Sequence, residues 1–171
     1  MSNNRIFTDF IIVSNDGTKF PCHRAVLATK SSVMRTLMEA DMMEKKESTL
    51  KLHFNGEIIK AFVDSFYSDI LDVEVIAREI GSFLDLSESY DLDFLKLVTE
   101  MIAIRVLKCE NMLEMFFLAD KYQAGELKKA AEKFIRSNKK FLNQDSRVLE
   151  ESLRDADKEH ALEIIRILSK I

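Results

Sequence analysis

Catalysis by side chains needs a nucleophile, an acid–base group and a means of stabilising charge, all brought to one place. The sequence is sparing with each of them. Cys22 and His23 set a thiol beside an imidazole, but neighbours in a strand point to opposite faces, so the pair does not converge on one reacting atom. A core thiol next to a hydrogen-bonded histidine is the better reading. The three histidines, His23, His53 and His160, fall on separate elements without the i, i+4 spacing of a helical metal site. The four glycines, Gly17, Gly56, Gly81 and Gly125, are too dispersed to cradle a phosphate, and no Gly-x-Ser-x-Gly elbow occurs. No catalytic, cofactor or metal site is expected, and the chain reads as a non-enzyme.

Composition narrows the class further. The chain has 171 residues, 47% hydrophobic and 32% charged, enough for one sizeable core with an appendage. The formal charge is -4, and basic pairs such as Lys45-Lys46 and Lys128-Lys129 are interleaved with acids. No continuous positive footprint for nucleic acid forms. Two cysteines, Cys22 and Cys109, fit neither a disulfide framework nor a zinc site. They point to a reducing intracellular compartment, cytoplasmic or nuclear. No apolar run approaches the roughly 20 residues that cross a bilayer, and the first residues lack a signal-peptide core.

The elements follow from periodicity. Phe10 to Val13 is a β-favouring run, and Ser14-Asn15-Asp16-Gly17-Thr18 supplies the residues of a tight turn. Lys19 to Cys22 is the return strand, and Pro21 places it at an edge because proline has no amide hydrogen to donate. Thr49 to Phe54 alternates, with Leu50, Leu52 and Phe54 on one face, as a half-buried third strand. Between these strands, His23 to Lys30 and Ser32 to Glu39 have helical spacing, with Ser31 or Ser32 as cap. Ile58, Ile59, Phe62, Val63 and Phe66 mark another helix. Leu71, Val73 and Val75 alternate with acids and suggest a short edge strand, with a loop as the alternative. From Ala77 the chain reads as helix. Leu92 to Leu107 is apolar nearly all round and is expected to run through the interior. Leu127, Ala130, Ala131, Phe134 and Ile135 form one stripe, and Ala161, Leu162, Ile165 and Leu168 another. Of Phe116 and Phe117, one fills the hairpin core and the other faces a neighbouring helix or a partner.

The chain also contains an internal echo. Leu86 to Lys96 and Leu118 to Lys128 share leucine, an acid, tyrosine, leucine and lysine in register. Each is expected to be a helix, a turn after its tyrosine and a second helix. Twin hairpins of this kind bury a common apolar seam when stacked.

Phe7-Thr8-Asp9-Phe10, Phe20-Pro-Cys-His23-Arg24-Ala25-Val26-Leu27-Ala28 and Ser31-Ser-Val-Met34-Arg-Thr-Leu37-Met38 together resemble the start of a BTB (POZ) domain. The resemblance implies an α+β fold, a small three-stranded sheet wrapped by helices, over residues 1–108. A C-terminal all-helical extension over 109–171 resembles the BACK or three-box segment. Speckle-type POZ and MATH-BTB adaptors are the most similar members, which implies an adaptor of the ubiquitination pathway that binds cullin-3 and homodimerises. Asp9 and His23 correspond to buried polar positions that tie the first hairpin to the following helix. Val26 and Leu27 fall on the helix that packs across the twofold interface. Met42-Met43-Glu44 occupies the place of the hydrophobic-x-acid motif that contacts cullin-3. Tyr90, Asp91 and Leu92 match another stretch of that surface, and Asn111 to Ala124 matches the part that widens it.

The chain departs from this pattern in places. Tyr67-Ser68-Asp69 stands where Tyr-Thr-Gly is usual, and Ser32 replaces a proline. Met34 and Met38 belong to a helix core, leaving Met42 and Met43 for a partner. No MATH-like, kelch-like or zinc-finger segment is legible, so the substrate protein stays unidentified. The alternative is a BTB oligomerisation scaffold, transcriptional or cytoskeletal, without cullin binding. Ser14 to Phe20 has the flavour of Skp-type adaptors, but the lack of tryptophan and the His23-Arg24-Ala-Val-Leu27 run favour BTB.

Overall fold

A computed structural model describes residues 6–39, 48–144 and 158–169. Two compact units divide the chain, Met1–Thr99 and Glu100–Ile171.

The first unit begins with the hairpin. Strands β1 (Phe10–Val13) and β2 (Lys19–Cys22) pair antiparallel, from Phe10 opposite Cys22 to Val13 opposite Lys19. Gly17 turns the chain at φ 83, a left-handed angle that suits a residue without a side chain. Two helices, α1 (Arg24–Lys30) and α2 (Ser32–Glu39), supply the crossover that a parallel partner requires. Strand β3 (Thr49–Lys51) then lies parallel to β1, giving the order β2-β1-β3. Pro21 accordingly sits on an edge strand. The strand geometry of β3 ends sooner than the alternation suggests. Leu52 still donates to Val13 O at 2.8 Å and is 9% exposed, while Lys51 and His53 face solvent.

Helix α3 (Gly56–Ser65) is capped by Asn55, whose side chain accepts from the Ile58 amide at 3.0 Å. Its start is also pinned to the hairpin by Asp16. One oxygen of that carboxylate accepts from Ser14 Oγ (2.6 Å) and Thr18 N (2.9 Å), the other from Gly56 N (2.9 Å). A β-carbon at Gly56 would meet Asp16 Oδ2 at 3.0 Å, so a larger residue there would make the carboxylate give by a few tenths of an ångström. These hydrogen bonds, the Ser14 hydroxyl first and Thr18 and Gly56 after it, hold the Asp16 carboxyl well below the usual carboxylate range. A depressed folded-state pKa contributes stability above the unfolded value of about 3.9, lost as pH falls towards the folded value. Asp16→Asn should therefore lower the melting temperature at pH 7, and the gap to wild type should narrow below about pH 4. Thermal melts across that range read the difference directly.

Helices α4 (Val73–Arg78), α5 (Ile80–Ser89) and α6 (Asp93–Arg105) follow. The edge strand expected around Leu71, Val73 and Val75 is a helix. Asp72 caps it by accepting from Val75 N at 3.2 Å, and the consecutive Val75 and Ile76 are both buried. Three alternating residues were too few to outweigh a cap and an adjacent buried pair. Ile12, Leu27, Met34, Ile59, Phe62 and Phe83 are fully buried in this unit.

Helix α6 does not run through an interior on all sides. Leu95, Ile102 and Ala103 are buried, but Phe94, Leu97 and Met101 are 49%, 51% and 49% exposed. The second unit continues with α7 (Met112–Lys121), α8 (Gly125–Ser137), α9 (Lys139–Gln144) and α10 (Lys158–Ser169). Its core joins Met112, Leu113, Phe116, Ala131, Ile135, Ile164 and Ile167. Phe117 packs half-buried against the same cluster, its ring 5.9 Å from that of Phe116. On α10 the buried face is set by Ile164 and Ile167, while Leu162 and Ile165 are exposed. Helical spacing allows either set, and packing chooses between them.

Candidate functional site

The turn at Tyr90, Asp91 and Leu92 is built by a helix C-terminus. Tyr90 N donates to Leu86 O at 3.1 Å and Leu92 N to Ser87 O at 2.8 Å, while Asp91 takes φ 52. Such a closure needs one left-handed residue, and aspartate is among the few with a side chain that adopt it readily. Leu92 is buried, Asp91 is exposed, and Tyr90 is half-buried with its ring 5.5 Å from that of Phe62. Phe62 in turn meets Phe66 edge to face at 5.2 Å and 89°.

Two serines fasten this turn to α2. Ser31 Oγ donates to Tyr90 O at 2.5 Å and accepts from Met34 N at 3.0 Å, so one hydroxyl caps the helix and holds the turn. Ser32 Oγ donates to the Asp91 carboxylate. The orientation of α2 is thereby coupled to the turn through residues 59 apart in sequence. The stretch that follows α2, with Met42, Met43 and Glu44, lies outside the described residues.

The same closure recurs in the second hairpin. Tyr122 N donates to Leu118 O at 3.0 Å, Gln123 takes φ 51, and Ala124 N donates to Ala119 O at 2.7 Å. Lys96 pairs with Glu88 and Lys128 with Asp120, each at 2.5 Å. The echo in sequence is thus an echo in backbone geometry.

Asp9 and His23 tie the hairpin to α1, though Asp9 is exposed and His23 half-buried in the single chain. The resemblance implied buried positions; hydrogen bonding to the start of a helix does not require burial. Asp9 Oδ1 accepts from Arg24 N, an amide of the first turn, at 2.8 Å, while His23 at the cap position makes no side-chain cap. His23 Nε2 is 2.8 Å from Ile6 O, an acceptor only, so Nε2 carries the proton. Nδ1 lies 3.1 Å from Tyr67 Oη, which itself accepts from His23 N at 2.8 Å. Tyr67 was singled out in sequence only as part of an atypical turn, and nothing local signals its bond to a residue 44 positions away. Nor does anything local signal the contacts of Arg24. Its guanidinium lies 5.0 Å from the Phe10 ring centre and donates to Ser48 Oγ at 3.1 Å.

Leu27 is 0% exposed and belongs to the core of the first unit. Its side chain therefore has no surface in the single chain to offer a twofold interface, where the resemblance places its helix. Adjacent residues of a helix point about 100° apart, and here Val26 is the half-exposed one. Cys22 is also 0% exposed, and its thiol is 3.2 Å from Phe20 O. Among the described residues, no three His, Cys, Asp or Glu side chains are grouped to hold a metal ion. No helix among them is long and apolar enough to cross a membrane.

Comparison with known proteins adds the family context. A profile described as BTB/POZ domain matches residues 1–107. Kelch-like protein 23 of Mus musculus is 30% identical over 149 residues, 86% of this chain and 26% of that protein. The human Kelch repeat and BTB domain-containing protein 3 is 27% identical over 146 residues, 85% of this chain and 23% of its own length. A BTB/POZ domain-containing protein of Arabidopsis thaliana is 28% identical over 167 residues, 97% of this chain and 50% of that protein. The chain therefore spans about a quarter of these kelch-type relatives and half of the plant one.

Proposed function

The chain belongs to the BTB/POZ domain family, and from that premise we propose that it is a non-catalytic adaptor that docks a cullin-3-type scaffold and pairs with a second copy of itself. Residues 1–108 are the BTB/POZ domain of this reading, and 109–171 its BACK-like helical extension, with MATH-BTB adaptors as the functional analogue. The substrate is a protein of unassigned identity.

The carrying observation is the coupling of α2 to the Tyr90 turn through Ser31 and Ser32. Bonds from the start of α2 hold that helix and the Tyr90 turn in one arrangement, and preorganisation lowers the entropy lost on docking. Met42 supplies a long unbranched side chain for an apolar pocket, and Glu44 a rim charge that orients the partner. Tyr90 and Asp91 extend the contact, while the buried Leu92 supports it from beneath.

The test is retention of a purified cullin-3 N-terminal domain, with light scattering for the mass. Met42→Asp or Glu44→Lys should each weaken binding by at least about tenfold, as hot-spot losses do. The melting temperature should hardly change. Undiminished binding by the double variant sinks the assignment.

A second reading is self-association alone. It is favoured by Ile6 and Phe7, 68% and 91% exposed, which the Ile6–His23 hydrogen bond holds near the start of α1. Val26 adds a half-exposed apolar residue on that helix. A dimer mass without cullin retention would select this reading.

A further inference from the structure

A cleft of about 330 Å³ opens between the end of α3 and the start of α6. We propose that it receives one basic side chain, lysine or arginine, from the docked protein; this deepens the adaptor reading and rests on the Tyr90–Leu92 turn being a docking edge.

The walls are amphipathic. Leu92 is 7% exposed and Phe94 49%, so one wall offers apolar surface for a long aliphatic stem, and the Phe94 face suits a cation. Three carboxylates, Asp69, Asp91 and Asp93, line the cleft against the single ammonium of Lys30. Lys30 is already engaged, 3.2 Å from Ser65 O and 3.6 Å from Asp69. Asp91 receives one hydroxyl, from Ser32, and Asp93 has no partner among the described residues. The amide end of α6 faces an acid in its own first turn, Asp93, which offsets the positive pole there. The excess charge is therefore negative, and an arriving carboxylate would be repelled. A cation with an apolar stem satisfies both walls at once.

The probe is acetyl-Leu-Arg-amide, titrated into the whole chain while backbone amide shifts are followed, with acetyl-Leu-Glu-amide as control. Saturable shifts at Asp91 and Phe94 are expected with the arginine probe only. In an Asp91→Asn/Asp93→Asn variant the half-saturation should rise at least about tenfold, the size expected for losing charge-assisted bonds. Asparagine also tolerates the left-handed angle at residue 91, so an unchanged spectral dispersion verifies the fold. No saturable shift, an equal response to the glutamate probe, or an unaltered variant overturns the proposal. Cullin retention is measured on the same samples. Arginine-probe binding without cullin retention keeps the cleft and removes the scaffold assignment. Cullin retention without probe binding does the reverse.

Discussion

Replacing Phe62 with alanine is expected to cost the first unit about 3–5 kcal/mol, the range for deleting a buried aromatic ring. Phe62 is 0% exposed, and its ring is in contact with both Phe66 and Tyr90. Removal loses the transfer energy of the ring and leaves a void that two aromatic neighbours fill only in part. Against a total of about 5–15 kcal/mol for an ordinary domain, the loss approaches unfolding. Urea denaturation should show a lower midpoint with little change in slope. Because the Tyr90 ring leans on Phe62, the Tyr90–Leu92 turn should loosen as well, and faster exchange of the Leu92 amide would report it. A destabilisation below about 1 kcal/mol would mean that the ring is not the core it looks to be.

The second large effect is expected at Glu100. This carboxylate is 7% exposed, and its Oε2 accepts from Glu126 N at 2.8 Å and Leu127 N at 2.9 Å. These are two of the amides that the start of α8 leaves without an intrahelical partner, and the methyl of Ala124 at the cap position cannot accept from them. The cap is thus supplied from α6, and its negative charge also meets the positive end of the helix. Glu100→Ala should cost about 2–3 kcal/mol, because hydrogen bonds to a charged group are lost and the buried Leu127 amide is orphaned. Glu100→Gln keeps an acceptor and gives up the charge, so its cost should be less than half. Hydrogen exchange at Leu127 should accelerate in the alanine variant and change little in the glutamine one. Equal stability of all three proteins would show that solvent satisfies those amides unaided.

Much of this architecture was legible because it is local. The hairpin turn, the edge position of Pro21 and the stripe on α8 each depend on residues a few positions apart. The twin closures are the clearest case. Tyr90 and Tyr122 repeat in sequence, and in both copies the residue that follows, Asp91 or Gln123, is left-handed and the same backbone bonds recur. The misreadings arose where covering surfaces decide the outcome. Leu71 to Val75 lacked the length to distinguish a strand from a capped helix. On α10 two apolar faces were equally available, and Ile164 and Ile167 took the interior. Leu27 and Val26 differ by a single position, yet one is sealed in the core and the other half-exposed.

The site divides in the same way. His23, Asp9, Asp91 and the Met42 stretch could be singled out by type and by resemblance. Their partners could not, because Tyr67, Ser31, Ser32 and the clasp from Glu100 to α8 act across 26 to 59 residues of chain. Residue order alone determined the family, most of the element types and the turn chemistry, since each rests on short-range sterics and hydrogen bonding. Only tertiary packing decided which faces of α6 and α10 stay open, which serines hold the Tyr90 turn and which tyrosine meets His23, and where carboxylates gather around a cleft. A side chain's exposure is a property of what covers it, and that is written nowhere in its own neighbourhood.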